Sequence, residues 1–193
     1  MPGWISKTCM LWGCFSLATA AAPAQQVVHA LAGTISSINT AAKTITVITD
    51  DGSDGTFKDL TDPKTPLQFD KGLRAGSIPA TAFKDQQGRV VVYYFGEGDA
   101  RTAVALHNLG PGPFSVVNGT VDKFEKSARS FSIKTEAGTE NSFKIIADTV
   151  ADIGSGATEG LKFEADKGYQ VRVVSANLNG VPTALFVIIL ATS

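Results

Sequence analysis

Apolar and polar residues alternate with a period of two along much of the chain. Residues 44–49 read TITVIT, and residues 130–135 read SFSIKT. Successive side chains of a β-strand point to opposite faces, so this period predicts strands with one face toward a core. The residues between the core-facing ones, such as Ser130, Ser132 and Lys134, are expected to face water. The predicted core-facing set is Ile45, Val47, Thr49, Phe131, Ile133 and Thr135.

The same pattern occurs twice in the chain. The stretch GTISSINTAAKTITVITDDG at 33–52 aligns without a gap to GTVDKFEKSARSFSIKTEAG at 119–138, an offset of 86 residues (119 − 33). After a gap, residues 89–109 align to residues 170–190 at an offset of 81 (170 − 89). Self-similarity at a fixed spacing is typical of repeated structural units. We therefore predict one unit at 32–109, a Gly/Pro-rich linker at 110–116, and a second unit at 117–190.

Each unit is predicted to be all-β, with five strands that form a small OB-like barrel. A three-strand meander, a longer connection and then a hairpin is the order expected of that barrel. Asn179-Gly180 favours the turn of the final hairpin. The connection at 147–167 has room for one short helix, and residues 77–83 are a candidate extra strand that Pro79 would confine to an edge. The strands of the second unit are predicted near 119–126, 130–136, 140–146, 169–176 and 183–190.

These residues carry a family resemblance. The chain resembles an uncharacterised family of exported bacterial OB-like domains. The resemblance lies in the order of its motifs: Gly119-Thr120-Val121, the SFSIKT strand, a later Gly and Phe, an alternating apolar strand, and Thr-Ala before a final strand. Domains of that family often occur in tandem. The resemblance covers both units and implies their fold and their export. It implies no activity and assigns no functional residue.

The N-terminus has the pattern of a signal peptide. A short segment with one Lys precedes the apolar run at 8–21, which is too short to span a bilayer. Ala22 and Ala24 then form a small-x-small cleavage site, so residues 1–24 are expected to be removed. Val28-His29-Ala30 is a second possible cleavage site, and Cys14 lies in a sequence that faintly resembles a lipid-attachment site. We expect a periplasmic or extracellular protein, with lipid anchoring at Cys14 as the less favoured alternative and no transmembrane anchor in the mature chain.

Composition limits the chemistry of the mature chain. Of 193 residues, 17 are Lys or Arg and 18 are Asp or Glu, and this balance gives no attraction for nucleic acid. The two cysteines, Cys9 and Cys14, both lie in the predicted signal peptide, so thiol catalysis and thiolate metal ligation are not expected. His29 and His107 are isolated, and His107 aligns with Ile188, which favours a packing position over a catalytic one. We therefore expect no catalytic residue, no cofactor and no metal, and we interpret the acidic stretch at 50–55 as a hairpin tip rather than a calcium loop.

An aromatic run distinguishes the first unit from the second. Tyr93, Tyr94 and Phe95 align with Val174, Ser175 and Ala176. Alternation places Tyr94 inward and the other two outward. Outward Tyr93 and Phe95 would form a stacking platform for sugars or other flat ligands, or would seal the contact between the two barrels.

Three functions stay open on this evidence. The leading one is an exported, non-catalytic module that binds or scaffolds in the cell envelope or outside the cell. Its partner would be a small molecule, a glycan or an envelope protein, with Tyr93 and Phe95 as the binding residues. The alternatives are a secreted hydrolase that uses paired carboxylates, and a purely structural spacer in which Tyr93 and Phe95 are buried between the barrels.

Overall fold

The computed structural model describes residues 25–50, 54–59 and 65–192. The predicted signal peptide, with Ala22, Ala24 and the alternative lipid site at Cys14, lies outside the described residues, so those expectations stay predictions. None of the helices in the described ranges is long and apolar enough to cross a membrane.

Most of the described chain is β-strand. Helical structure is limited to α1 (Lys71–Ala75) and three short 3-10 helices at Ala80–Asp85, Gly98–Ala100 and Gly160–Lys162. The strands in chain order are β1 (Gln26–Val27), β2 (His29–Asn39), β3 (Thr44–Thr49), β4 (Asp54–Asp59), β5 (Leu67–Gln68), β6 (Ile78–Pro79), β7 (Arg89–Phe95), β8 (Thr102–Asn108), β9 (Phe114–Glu125), β10 (Ser130–Lys134), β11 (Glu140–Asp152), β12 (Ala157–Glu159), β13 (Gln170–Leu178) and β14 (Val181–Ala191).

The C-terminal strands form a closed five-stranded barrel. The order is β10-β9-β13-β14-β11, and β10 also pairs with β11, which closes the ring. All neighbours are antiparallel except β11 and β14, which run parallel. The predicted sequence of a meander, a connection and a hairpin is the one found. Asn179 and Gly180 form the final turn with φ of 54° and 84°, the positive values that an Asn-Gly hairpin turn requires.

The N-terminal strands form a six-stranded sheet in the order β4-β3-β2-β7-β8-β6. β4 also pairs with β8 in parallel, through Lys58 with Thr102 and Asp59 with Ala103. The matching strands of the barrel pair Lys144 with Thr183. Lys58 aligns with Lys144 and Thr102 with Thr183 in the sequence comparison, so the two pairs are equivalent.

The registers of the first two strands also correspond between the halves. Ile38 pairs with Ile45, and Phe124 pairs with Phe131. Gly33 and Gly119 occupy equivalent close approaches between strands. A Cβ on Gly33 would lie 2.4 Å from the carbonyl oxygen of Ile48, and one on Gly119 would lie 2.7 Å from that of Lys134. The recurring glycine is therefore explained by steric exclusion of any side chain.

Each sheet encloses an apolar core, and most of the predicted alternation is confirmed. Ile45, Val47 and Thr49 are buried beneath the N-terminal sheet, and Phe131 and Ile133 are buried inside the barrel. Thr135 is only half-buried. The prediction for Ser132 is wrong, since this residue is 7% exposed. The register shift beside it does not turn it inward, because the extra residue is Asp122 of β9. Phe131 and Ile133 keep their places in the core, so Ser132 is buried on the other face of β10.

The connecting segments hold most of the remaining differences. Within 77–83, only Ile78 and Pro79 form a strand, at the sheet edge that Pro79 was expected to occupy. The 147–167 connection contains the end of β11, the short strand β12 and a 3-10 helix. β9 begins at Phe114, inside the 110–116 segment predicted as a linker, because it pairs there with Ala176 of β13.

Candidate binding site at the seam between the two sheets

A third apolar cluster joins the N-terminal sheet to the C-terminal barrel. We call this contact the seam. Its buried members from the N-terminal part lie mainly on β2 and the β7–β8 hairpin, and those from the barrel lie on β11, β13 and β14. They are Val28, Ala30, Ala32, Leu73, Val91, Tyr93 and Ala105 from the first part, and Val150, Val174 and Phe186 from the second.

Equivalent positions of the two halves meet at the seam with their sizes exchanged. On the N-terminal side, Tyr93 pairs with Ala105 across the hairpin. On the barrel side, the aligned pair is Val174 with Phe186. Each hairpin therefore has one large and one small residue in opposite strands. This exchange lets two similar outer faces pack together without two large rings at aligned positions.

The structure places the aromatic run on both sides of β7. Tyr94 is half-buried against the core of the N-terminal sheet, as its predicted inward direction requires. Tyr93 is 1% exposed within the seam, and its ring centroid lies 5.0 Å from that of Phe69. Phe95 is half-buried and does not belong to the seam cluster. The binding role predicted for Tyr93 and Phe95 stays a prediction, but the Tyr93 ring presents no open face in this arrangement.

Buried polar contacts also cross the seam. The backbone N–H of Ala30 donates to Oδ2 of Asp152 at 2.7 Å, and Nδ1 of His29 lies 3.2 Å from the same oxygen. The other oxygen of Asp152 accepts from the N–H of Gly154 at 2.9 Å. Ala157 adds a backbone hydrogen bond to the carbonyl of Val28 at 2.8 Å. Asp152 is thus a buried carboxylate that accepts hydrogen bonds from both halves.

A charged cluster lies at the rim of the seam. Asp70 caps α1, because its Oδ1 accepts from the N–H of Gly72 at 2.9 Å. Its Oδ2 accepts from Nζ of Lys162 in the barrel half at 2.7 Å, and the same Nζ lies 3.4 Å from Oε1 of Glu159. Burial acts to raise the pKa of the Asp70 carboxyl. Hydrogen bonds with the Lys162 and Glu159 side chains and with the backbone outweigh burial and hold this pKa below its usual value. The cluster therefore joins two carboxylates from different halves through one lysine.

Two cavities open beside this cluster. The larger has a volume of about 450 Å³ and is lined by Phe69, Asp70, Ile153 and Lys162, among others. The smaller has a volume of about 220 Å³ and is lined by Tyr93, His107, Asp148 and Glu159, with Gly72 and Val150. The second cavity brings together two residues that the sequence singled out separately, Tyr93 and His107.

Several acidic side chains of the described ranges are held in ion pairs. Across the described ranges, no three His, Cys, Asp or Glu side chains are grouped so as to hold a metal ion. The acidic stretch at 50–55 is only partly described, but the side chain of Asp50 is 6% exposed and forms an ion pair with Arg89. Asp70 and Glu159 both contact Lys162, which balances part of their negative charge.

Sequence reasoning missed the polar residues that connect the two halves. Asp152 and Lys162 lie in a segment with little periodicity, and Asp70 lies in the region where the first unit departs from the second. A Ser/Thr/Asp/Asn residue before a short helical segment is a recognised cap signal, and Asp70 ahead of Lys71–Ala75 fits it. No comparable pattern indicates that a residue faces a distant part of the chain.

Comparison with known proteins gives no further assignment. The chain matches no family model, and it shows no significant sequence similarity to any curated protein.

Proposed function

We propose that the protein is an exported, non-catalytic module of the cell envelope or extracellular space. In this proposal two OB-like barrels pack as one rigid unit that binds or scaffolds a partner, which would be a small molecule, a glycan or an envelope protein. The membership of an exported bacterial OB-like family, suggested by the sequence motifs, is part of the same proposal.

The second barrel of this proposal is the N-terminal sheet. The parallel pairing of β4 with β8 supports this part of the proposal, because β11 and β14 pair in the same way in the C-terminal barrel. The shared strand registers and the close approaches at Gly33 and Gly119 support a common origin of the two units.

The observation that carries the proposal is the burial of Tyr93 in a core that both halves build. A surface sealed in this way holds the two barrels in one orientation, which suits a scaffold more than a pair of independent binding domains on a linker. The same observation favours the structural-spacer alternative. It does not favour the stacking platform in its original form, because Tyr93 would first have to leave the seam.

The described fold bears on the cleavage sites. Cleavage after Ala24 would retain every described residue. Cleavage after Ala30 would remove Val28 and Ala30, which are buried in the seam, together with the hydrogen bond from Ala30 to Asp152. We therefore favour removal of residues 1–24. Intact mass of the exported protein tests this, since a chain that begins at Gln25 is expected, and a lipid-modified chain that begins at Cys14 or a chain that begins at Leu31 would contradict it.

The hydrolase alternative makes a different prediction. It would place catalysis on Asp70 and Glu159, the carboxylates that share Lys162. The discriminating experiment assays the mature protein with a panel of chromogenic glycosides and esters, in parallel with a glycan array. The proposal predicts no turnover, and turnover that is abolished by Asp70→Asn or Glu159→Gln but retained in Asp85→Asn would overturn it.

A further inference from the structure

The smaller seam cavity differs from the rest of the seam in its chemistry. Tyr93 and His107 line it at positions where the second half has the apolar residues Val174 and Ile188. Tyr93 is 1% exposed, yet no other described residue forms a hydrogen bond with its hydroxyl. This group is therefore available to a molecule in the cavity.

A β-bulge brings a carboxylate to the same cavity. Between Ile145 and Val150, β11 carries several more residues than β14 does over the matching stretch. Thr149 fixes this bulge, because its hydroxyl donates to the carbonyl of Ala184 at 2.6 Å and accepts from the N–H of Ile146 at 3.0 Å. Asp148 lies in the bulge and lines the cavity. Bulges of this kind often re-aim a side chain at a functional site.

The charges around the cavity are predominantly negative. Asp148 takes part in no ion pair with another described residue, whereas Glu159 shares Lys162 with Asp70. The negative charge of Asp70 also acts on Tyr93. A cation entering the cavity would meet one carboxylate that lacks a counter-charge, a phenol oxygen and an imidazole.

We propose that this cavity binds a small primary ammonium compound, R–NH3⁺. The ammonium group would donate to the Asp148 carboxylate and to the Tyr93 oxygen, and its short chain would lie against Leu73 and Val150. The volume of about 220 Å³ is that of about seven water molecules in the liquid, which admits a compound of four to six heavy atoms. The inference rests on the proposed binding function and specifies its ligand class.

The test is an NMR titration of the mature protein with ethanolamine hydrochloride, followed by ¹H–¹⁵N correlation spectra. Ethylene glycol serves as the neutral control and sodium acetate as the anionic control. Saturable shifts of the amides of Tyr93, His107 and Asp148 are expected for ethanolamine, with a Kd on the order of 1–10 mM for so small a ligand. The absence of saturable shifts, or equal shifts with ethylene glycol or acetate, would overturn the proposal.

Two variants locate the site. Asp148→Asn is expected to weaken ethanolamine binding about fivefold or more through loss of charge, while Asp85→Asn, an exposed aspartate that does not line the cavity, leaves it unchanged. Tyr93→Phe keeps the ring in the seam and is expected to weaken binding about two- to tenfold. Unchanged affinity in Asp148→Asn refutes the site even if Tyr93→Phe fails to fold. A negative titration leaves the mass and turnover tests of the two-barrel module unaffected, so the two proposals fail separately.

Discussion

Replacing Tyr93 with alanine tests the seam at its centre. The side chain is 1% exposed and packs beside the Phe69 ring in a cluster built by both halves. Truncation would leave a ring-sized cavity that a close-packed seam can only partly fill. Large-to-small changes of this type cost about 3–5 kcal/mol, a substantial part of the 5–15 kcal/mol that stabilises a typical domain.

Tyr93→Phe separates the ring from its hydroxyl. This variant retains the packing and removes a hydroxyl that no other described residue hydrogen-bonds, so its free energy of unfolding is expected to stay within about 1 kcal/mol of the wild type. Phe95→Ala, a half-buried neighbour outside the seam cluster, is expected to cost clearly less than Tyr93→Ala. Urea unfolding followed by far-ultraviolet circular dichroism gives all three values. A loss below about 1 kcal/mol in Tyr93→Ala would refute the seam as a shared core.

Four further results are expected. Phe131→Ala, inside the closed barrel, should cost about 3–5 kcal/mol in urea unfolding, and a negligible loss would show that the β10 register is wrong. Gly119→Ala should cost about 1–3 kcal/mol because its Cβ meets a backbone oxygen of the next strand, and wild-type stability would contradict the close approach. Because the pKa of Asp70 is lowered in the folded protein, this carboxylate contributes stability above the unfolded-state pKa near 4, and the contribution is lost as pH falls further. Lys162→Met should remove part of this contribution. Identical curves of stability against pH for the variant and the wild type would argue against the ion pair. The pKa values of all three tyrosines are raised above 10.0, in Tyr93 and Tyr94 mainly by burial and in Tyr169 by a hydrogen bond to Asp166. The free energy of unfolding should therefore fall as pH rises above about 10. Phenolate absorbance that titrates with an ordinary pKa in the folded protein would contradict this.

The strands and their inward faces could be predicted because they are local properties of the sequence. Alternation identifies Ile45 and Phe131 as core residues and separates Tyr94 from Tyr93, since a strand's geometry fixes the period of two. The internal alignment also relates the strand registers of the two halves. Both halves have the same bulge in their first long strand and the same close approach between strands, and both keep a glycine at that approach. The exposure predicted for Ser132 is wrong because alternation gives the face on which a side chain lies but not whether that face is covered.

Apart from Tyr93, for which burial between the two units was one interpretation, the seam residues could not be predicted, because they lie on segments far apart in the sequence. The contact of Ala30 and His29 with Asp152 spans more than a hundred residues, and no periodicity connects them. The sequence identifies the aromatic run as a point at which the two halves differ. The fold adds that Tyr93 lies in one cluster with Val174 and Phe186 of the β13–β14 hairpin. The bulge that brings Asp148 to the cavity is likewise set by pairing between β11 and β14 rather than by local sequence.

Native-state hydrogen exchange tests the central claim, that the two halves form one unit through the seam. The informative amides are those of Val91 and Tyr93 in β7 and of Val173 and Val174 in β13. The account predicts that both sets open with the same free energy in the wild type, and that Tyr93→Ala lowers both by the same amount. Loss of protection in β7 alone, with β13 unchanged, would show that the halves unfold independently and would contradict the account.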